Sequence, residues 1–215
     1  MLLYYITDRT QFPGSEDRRR AQLFEKIAEA ARGGIDFVQL REKDLPAREL
    51  ESLAHQAAAR IRFPESRTRL LINSRVDIAL AAGADGVHLR SRDITPGEVR
   101  SIWHQANGPG EPIILVSCHS RQEVLAAARA GADYAVFGPV FEKPEATQVA
   151  GLELLASACR EGPVLALGGV TVERAAACIR AGACGVAGIR LFQQEDAREV
   201  AARLRAPAAE PSAGF

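Results

Sequence analysis

The stretch "ALAAGADGVHL", residues 79–89, decides the fold. A helical run of Ala and Leu reaches Gly83, the next two residues turn the chain, and a short apolar run begins at Gly86. Glycine supplies the left-handed conformation that ends a helix, so the stretch reads as a junction from helix to buried strand. The same pattern recurs as "AARGGIDFVQL" (30–40), "ARAGADYAVFG" (128–138) and "IRAGACGVAGI" (179–189), with the glycines Gly34, Gly83, Gly131 and Gly182 spaced 49, 48 and 51 residues apart.

Between these junctions lie further short apolar runs, "LLYYIT", "RLLIN", "IILVSC" and "VLALGG", each followed by helical periodicity. A period of about 50 residues holds two strand–helix units, since one βαβ crossover needs about 30 residues. Four periods predict eight strands, near residues 3–7, 37–41, 69–73, 86–89, 113–118, 134–140, 164–168 and 185–189. Their continuous rather than alternating hydrophobicity suits parallel strands buried on both faces. The expectation is a single α/β domain, a (β/α)8 TIM barrel over residues 1–206, with residues 207–215 a disordered tail. A doubly wound open sheet is the other candidate, but no G-x-G-x-x-G follows the first strand.

Composition narrows the partners. The chain has 215 residues, 47% of them hydrophobic, with Lys+Arg and Asp+Glu equal at 27 each. No overall field recommends nucleic acid or an anionic membrane, so an anion site must be local. Cys118, Cys159, Cys178 and Cys184 show no zinc spacing and read as buried thiols of a cytoplasmic protein. No run approaches a membrane span or a secretory signal. A homo-oligomer stays compatible with all of this.

In such a barrel the site lies at the carboxyl ends of the strands. The second strand ends "VQLREKD", where Gln39, Arg41 and Lys43 alternate and so share one face. Two cations and an amide in a barrel mouth suit phosphate or pyrophosphate oxygens. The third strand ends in Asn73 and Ser74, and the fifth in Ser117 and His119, with His119 placed for proton transfer. His88, inside the fourth strand, reads equally as a satisfied core histidine. After the sixth strand, "FGPVFEKPEATQVAG" (137–151) is long enough to cover a ligand. Gly168 and Gly169 after the seventh strand, with Gly188, Ile189 and Arg190 at the eighth, form a second anion sector, because close backbone N–H groups and a helix start favour phosphate. Two phosphorylated groups meeting at one mouth is the simplest account.

The segments "YYITDR", "VQLREKD", "LLINSRVDIALAAGADGVHL", "VSCHS", "GADYAVFGPVF", "VLALGGVT" and "GACGVAGI" together resemble the thiamine phosphate synthase family, which includes a thiazole tautomerase branch. The resemblance runs over roughly residues 3 to 192. It implies a transferase of thiamine biosynthesis that joins hydroxymethylpyrimidine diphosphate to thiazole phosphate, with Mg2+, and releases pyrophosphate. It also implies that Gln39, Arg41, Lys43 and Asn73 hold the pyrimidine diphosphate, that Ser117 orients the pyrimidine, and that Gly168, Gly169 and the Gly188–Arg190 segment take the thiazole phosphate. Arg41, Lys43, Ser117 and His119 are the catalytic candidates.

Departures from the family pattern are specific. Ser74 stands where synthases carry one of two magnesium carboxylates; the other matches Asp93, in "RSRD" rather than G-Q-x-D. Arg90 and Arg92 therefore add cations beside the metal position and offset part of the lost charge. The family's lysine after the sixth strand is absent in register, with Lys143 nearby, and Arg190 replaces a small polar residue. Two other activities fit these changes: a tautomerase-like isomerase using His119, and a catalytically idle barrel that binds thiamine intermediates.

Overall fold

Gly34, Gly83, Gly131 and Gly182 have φ of 76°, 60°, 91° and 102°, all in the left-handed region. After each, the next amide reaches back five residues: Ile35 to Ala30, Ala84 to Ala79, Ala132 to Ala127 and Ala183 to Cys178, at 2.8–3.1 Å. This is the Schellman closure of a helix end, built the same way four times. It delivers the chain to the amino end of every even-numbered strand.

The computed structural model describes residues 1–142 and 149–206. Its strands are β1 (Leu2–Ile6), β2 (Phe37–Leu40), β3 (Arg69–Asn73), β4 (Gly86–Leu89), β5 (Ile113–Cys118), β6 (Tyr134–Phe137), β7 (Val164–Leu167) and β8 (Gly185–Gly188). They are parallel and close into a barrel in sequence order, β8 pairing with β1. The helices outside are α1 (Glu16–Arg32), α2 (Ala47–Ile61), α3 (Val76–Ala81), α4 (Pro96–Gln105), α5 (Arg121–Arg129), α6 (Gly151–Ala158) and α7 (Val172–Arg180), with a short α8 (Arg190–Gln193) and α9 (Ala197–Arg205) after β8. The eight-stranded barrel is the architecture the repeat predicts. Some strands stop short of their expected ends, β6 at Phe137 rather than residue 140, where Pro139 has no N–H to donate. The expected tail, residues 207–215, lies outside the described residues.

Burial on both faces explains the continuous hydrophobicity. Tyr4, Ile6, Phe37, Leu71, Leu115, Val136, Leu165 and Ala187 fill the barrel interior. The alternate residues, such as Leu3, Tyr5, Val38, Leu70, Ile72, Val87 and Ile114, pack outward against the helices.

The amino-terminal floor is sealed by an aspartate two residues after each of the first three glycines. Asp36, Asp85 and Asp133 accept the amides of Leu3, Leu70 and Ile114 at 2.8, 2.8 and 2.7 Å. Each also donates its own amide to the carbonyl of the same residue. Arg205, Arg69 and Arg100 then pair with the three carboxylates. In the fourth copy Cys184 takes the position, and its thiol donates to the Val164 carbonyl at 3.0 Å. Asp133→Ala strips the acceptor from the Ile114 amide and should lower stability by about 1–3 kcal/mol in urea denaturation, whereas Cys184→Ala should cost less.

Candidate active site

Above the apolar interior, the inward face turns polar toward the carboxyl ends. Gln39 follows Phe37 on β2, Asn73 follows Leu71 on β3, and Ser117 follows Leu115 on β5. Register puts Asn73 beside His88 of β4. Gln39 is buried, and among the described residues neither its Oε1 nor its Nε2 has a hydrogen-bond partner. A buried amide left unpaired costs about 1–3 kcal/mol, which singles out a position where a ligand or bound water is expected.

Alternation along "REKD" separates the charges of the β2 loop. Arg41 and Lys43 face the mouth, and among the described residues neither side chain makes a hydrogen bond or salt bridge. The Lys43 amine is held below its usual value first by the Arg41 charge, then by burial and by Arg90. Glu42 and Asp44 turn the other way, to Arg9. Arg9 is buried; its guanidinium reaches Glu42 at 3.1 Å, Asp44 at 2.7 Å and Glu16 at 2.7 Å. Thr7 completes the clamp, donating to Glu42 at 2.6 Å and accepting the Arg41 amide at 3.0 Å. Burial pushes the Glu42 carboxyl up, opposed by Thr7 and Arg9. The loop that presents the two cations is thus fixed from below. Composition alone missed Arg9 and Thr7, although the alternation in "REKD" already turns the two carboxylates away from the two cations.

Ser74 occupies the left-handed region with φ 59°, unusual for a residue with a Cβ. Its amide donates to the His88 carbonyl at 2.9 Å, its hydroxyl oxygen accepts from the Asn73 side-chain amide at 3.4 Å, and it lies near enough to Asp93 to lower that carboxyl. Asp93 also takes the Arg90 amide at 2.8 Å and the Arg90 guanidinium at 2.9 Å. Burial raises the Asp93 carboxyl, but Ser74 and Arg90 outweigh it and hold the group below the usual range. Magnesium is normally held by one or two carboxylates with phosphate oxygens and water. The one carboxylate here is already engaged by two donors of the chain, and no group of three His, Cys, Asp or Glu suited to a metal occurs among the described residues. The side chains present do not fit a two-carboxylate metal centre.

Across the mouth, Gly168 and Gly169 have φ of 94° and 64°. A Cβ on Gly168 would lie 2.6 Å from the Pro139 Cα, and one on Gly169 would lie 2.8 Å from the Glu142 carbonyl oxygen. Close approach of the β6 loop therefore demands both glycines. The Phe141 amide donates to the Gly168 carbonyl at 3.0 Å, and Arg174 of α7 donates to the Gly169 carbonyl while covering the Phe141 ring. Gly188 ends β8, with Ile189 and Arg190 leading into α8. His119 lies just past β5 at the surface, and its Nδ1 donates to the Gly138 carbonyl at 2.6 Å. Lys143 lies outside the described residues. A cleft of about 370 Å³ lined by Ile61, Phe63, Thr68 and Asp85 sits at the opposite, amino-terminal end. Its Arg69 is already paired with Asp85, whereas the unpaired Gln39 amide lies toward the mouth. A second cavity, of about 170 Å³, lies outside the barrel wall between the β4 loop, β5 and α5, lined by Asp93, Thr95, Val116, Cys118 and Ala127.

Residues 3–192 match the family model described as thiamine monophosphate synthase. A thiamine-phosphate synthase of Syntrophomonas wolfei is 37% identical over 94% of this chain and 94% of its own. One from Chlorobium luteolum is 39% identical over 94% and 90%. Among solved structures, thiamine phosphate pyrophosphorylase from Pyrococcus furiosus superposes with a TM-score of 0.77 at 33% identity, covering 95% of this chain and 93% of that one.

His88 is the satisfied core histidine that its place inside β4 suggests, and it also joins the interior to this mouth. Its Nδ1 meets the Tyr4 hydroxyl and its Nε2 the Ser117 hydroxyl, each at 2.9 Å. Burial raises the Tyr4 phenol well above its usual value, so Tyr4 keeps its proton; with Nδ1 its one hydrogen-bond partner among the described residues, the hydroxyl donates there. Nε2 then carries the ring hydrogen and donates to Ser117, whose own proton is left directed at the mouth. Burial, with the Arg41 charge, lowers His88 from 6.5 to about 3. Because the folded value lies below the unfolded one, the stabilisation is complete above pH 6.5 and falls as pH drops toward 3. Urea denaturation should show His88 contributing a loss of up to about 1.4 kcal/mol per pH unit below pH 6.5, a slope absent from His88→Gln. In the same assay at pH 7, Arg9→Met should cost about 3–5 kcal/mol by stranding Glu42, and Arg9→Met/Glu42→Gln should recover part of it.

Proposed function

Because the chain belongs to the thiamine monophosphate synthase family, whose model covers residues 3–192, we propose that it is a transferase joining hydroxymethylpyrimidine diphosphate to thiazole phosphate. The products are thiamine phosphate and pyrophosphate. One observation carries the reading to this site: Arg41 and Lys43 stand in the barrel mouth unpaired by any described residue, their charges raising one another's cost. A diphosphate relieves that unbalanced field.

In this reading Arg41 and Lys43 hold the diphosphate, with Asn73 beside them. The Gln39 amide and the outward proton of Ser117 orient the pyrimidine ring. As the bond from the methylene carbon to the diphosphate oxygen breaks, its electron pair stays with the leaving group, and the fixed cations neutralise that charge. The thiazole nitrogen then donates its lone pair to the methylene carbon. No proton needs to move in the bond-forming step. The Gly168–Gly169 turn and the Gly188–Arg190 segment would keep the thiazole phosphate on the far side of the mouth, so the two anions approach without sharing a site. The chain's task is positioning and charge neutralisation. His119 would support the β6 loop through Gly138. The tautomerase alternative needs His119 but leaves Arg41 and Lys43 without work.

Magnesium belongs to the family's general chemistry, and Asp93 is the ligand the resemblance assigns. With Ser74 and Arg90 on that carboxylate, the neutralisation falls to the chain's own cations. Free thiols at all four cysteines fit a reducing, cytoplasmic setting. Incubating the purified protein with both phosphorylated precursors should yield thiamine phosphate and an equal amount of pyrophosphate. Lys43→Gln should reduce kcat/KM by about 100-fold or more, with an unchanged circular dichroism spectrum. Absence of product at any magnesium concentration overturns the synthase assignment, and product formation indifferent to Lys43 overturns the placement of the diphosphate.

A further inference from the structure

We propose that Arg90 is the third cation of the diphosphate site, and that pyrophosphate binds this chain without a metal ion. The inference rests on the synthase reading for the identity of the anion, but not for its geometry.

Strand order puts β3 between β2 and β4. Gln39 lies beside Leu71, and Asn73 lies beside His88. The first residues past β2 and β4 therefore flank the Asn73–Ser74 corner on one rim: Arg41 and Lys43 on one side, Arg90 on the other. Their fields overlap, since Arg90 contributes to lowering the Lys43 amine across that corner. The carboxylates in range are Asp8 and Asp93. Asp8 is engaged with Thr10 and Gln11. Asp93 is engaged with Arg90 and Ser74. A cationic sector with its acidic groups already bound internally is built for an anion from outside.

Arg90 is also held where it can act. Its backbone amide and its Nε both bond Asp93, at 2.8 and 3.1 Å, so the carboxylate fixes the start and the end of the side chain together. Ser74, in a left-handed backbone next to Asn73, helps hold the Asp93 carboxyl in its charged form. The Arg90 side chain is 69% exposed, and its guanidinium keeps further N–H groups available to phosphate oxygens. A planar guanidinium offers phosphate oxygens a fixed positive charge with paired donors. A metal ion ligated by Asp93 would first have to displace Arg90. With Ser74 in place of a carboxylate and Arg90 beside Asp93, this corner carries less negative and more positive charge than the family pattern implies.

The test is calorimetric titration of pyrophosphate into the full chain, in excess EDTA and then in millimolar magnesium. The wild type should bind in EDTA, and magnesium should change its affinity only slightly. Arg90→Gln should weaken binding in EDTA by about tenfold or more, as expected for loss of a charged hydrogen bond. Ser74→Asp should also weaken binding in EDTA, and magnesium should restore it. Undetectable wild-type binding in EDTA overturns the proposal, as does an Arg90→Gln variant that binds like the wild type. Product assays run in parallel separate the two readings. Metal-free binding through Arg90 with no thiamine phosphate formed sinks the synthase assignment alone. Product that forms only with magnesium, and is unaffected by Arg90→Gln, sinks this inference alone.

Discussion

Closing eight parallel strands in sequence order sends every carboxyl end to the same rim, and the rest of the molecule follows from that constraint. The two rims then have unequal accounts of polar groups. At the floor, Asp36, Asp85 and Asp133 satisfy strand amides and are themselves satisfied by arginines. At the mouth, the Gln39 amide and the Arg41 and Lys43 cations have no partner among the described residues. Polar groups are paired in a folded chain unless something else pairs them. The asymmetry, more than any cleft, marks the functional end of the barrel.

The same alternation that builds strands sorts charge beyond them. In "REKD" the two carboxylates turn under the rim to a buried Arg9, and the two cations turn over it. Had all four faced the mouth, they would have neutralised one another and offered a diphosphate little. A buried ion pair such as Arg9–Glu42 contributes little net stability, because desolvation offsets the attraction. Its value is directional: it fixes the loop through Thr7 and so fixes where the free cations stand.

The barrel was legible in the sequence because its signal is local and repeated. Gly34, Gly83, Gly131 and Gly182 each end a helix by contacts within six residues, and the residue that follows two places later begins the same floor contact. Gln39, Arg41 and Lys43 were legible for the same reason, through spacing along one strand. What escaped notice depends on contacts distant in sequence. Tyr4 and His88 are 84 positions apart, and Thr7 and Glu42 are 35 apart; no spacing rule links them. Gly168 and Gly169 were recognised, yet a phosphate role does not by itself explain them, since the β6 loop already requires both. Ser74 reads in the sequence as a missing carboxylate, but its closeness to Asp93 and its left-handed backbone need the fold.

Fixed cations raise a question that bound metals share. A charge that holds diphosphate equally in substrate and transition state lowers KM without lowering the barrier. Acceleration requires a donor close to the bridging oxygen, where charge grows as the carbon–oxygen bond breaks. Arg41 is set lowest of the cations: its field reaches down to Tyr4 and His88 as well as out to Lys43. Lys43 and Arg90 lie higher and are more exposed. On the proposed function, depth would divide the labour. The outer pair would hold the diphosphate in both states, while Arg41, above the layer that orients Ser117, would meet the charge that appears only as the bond opens.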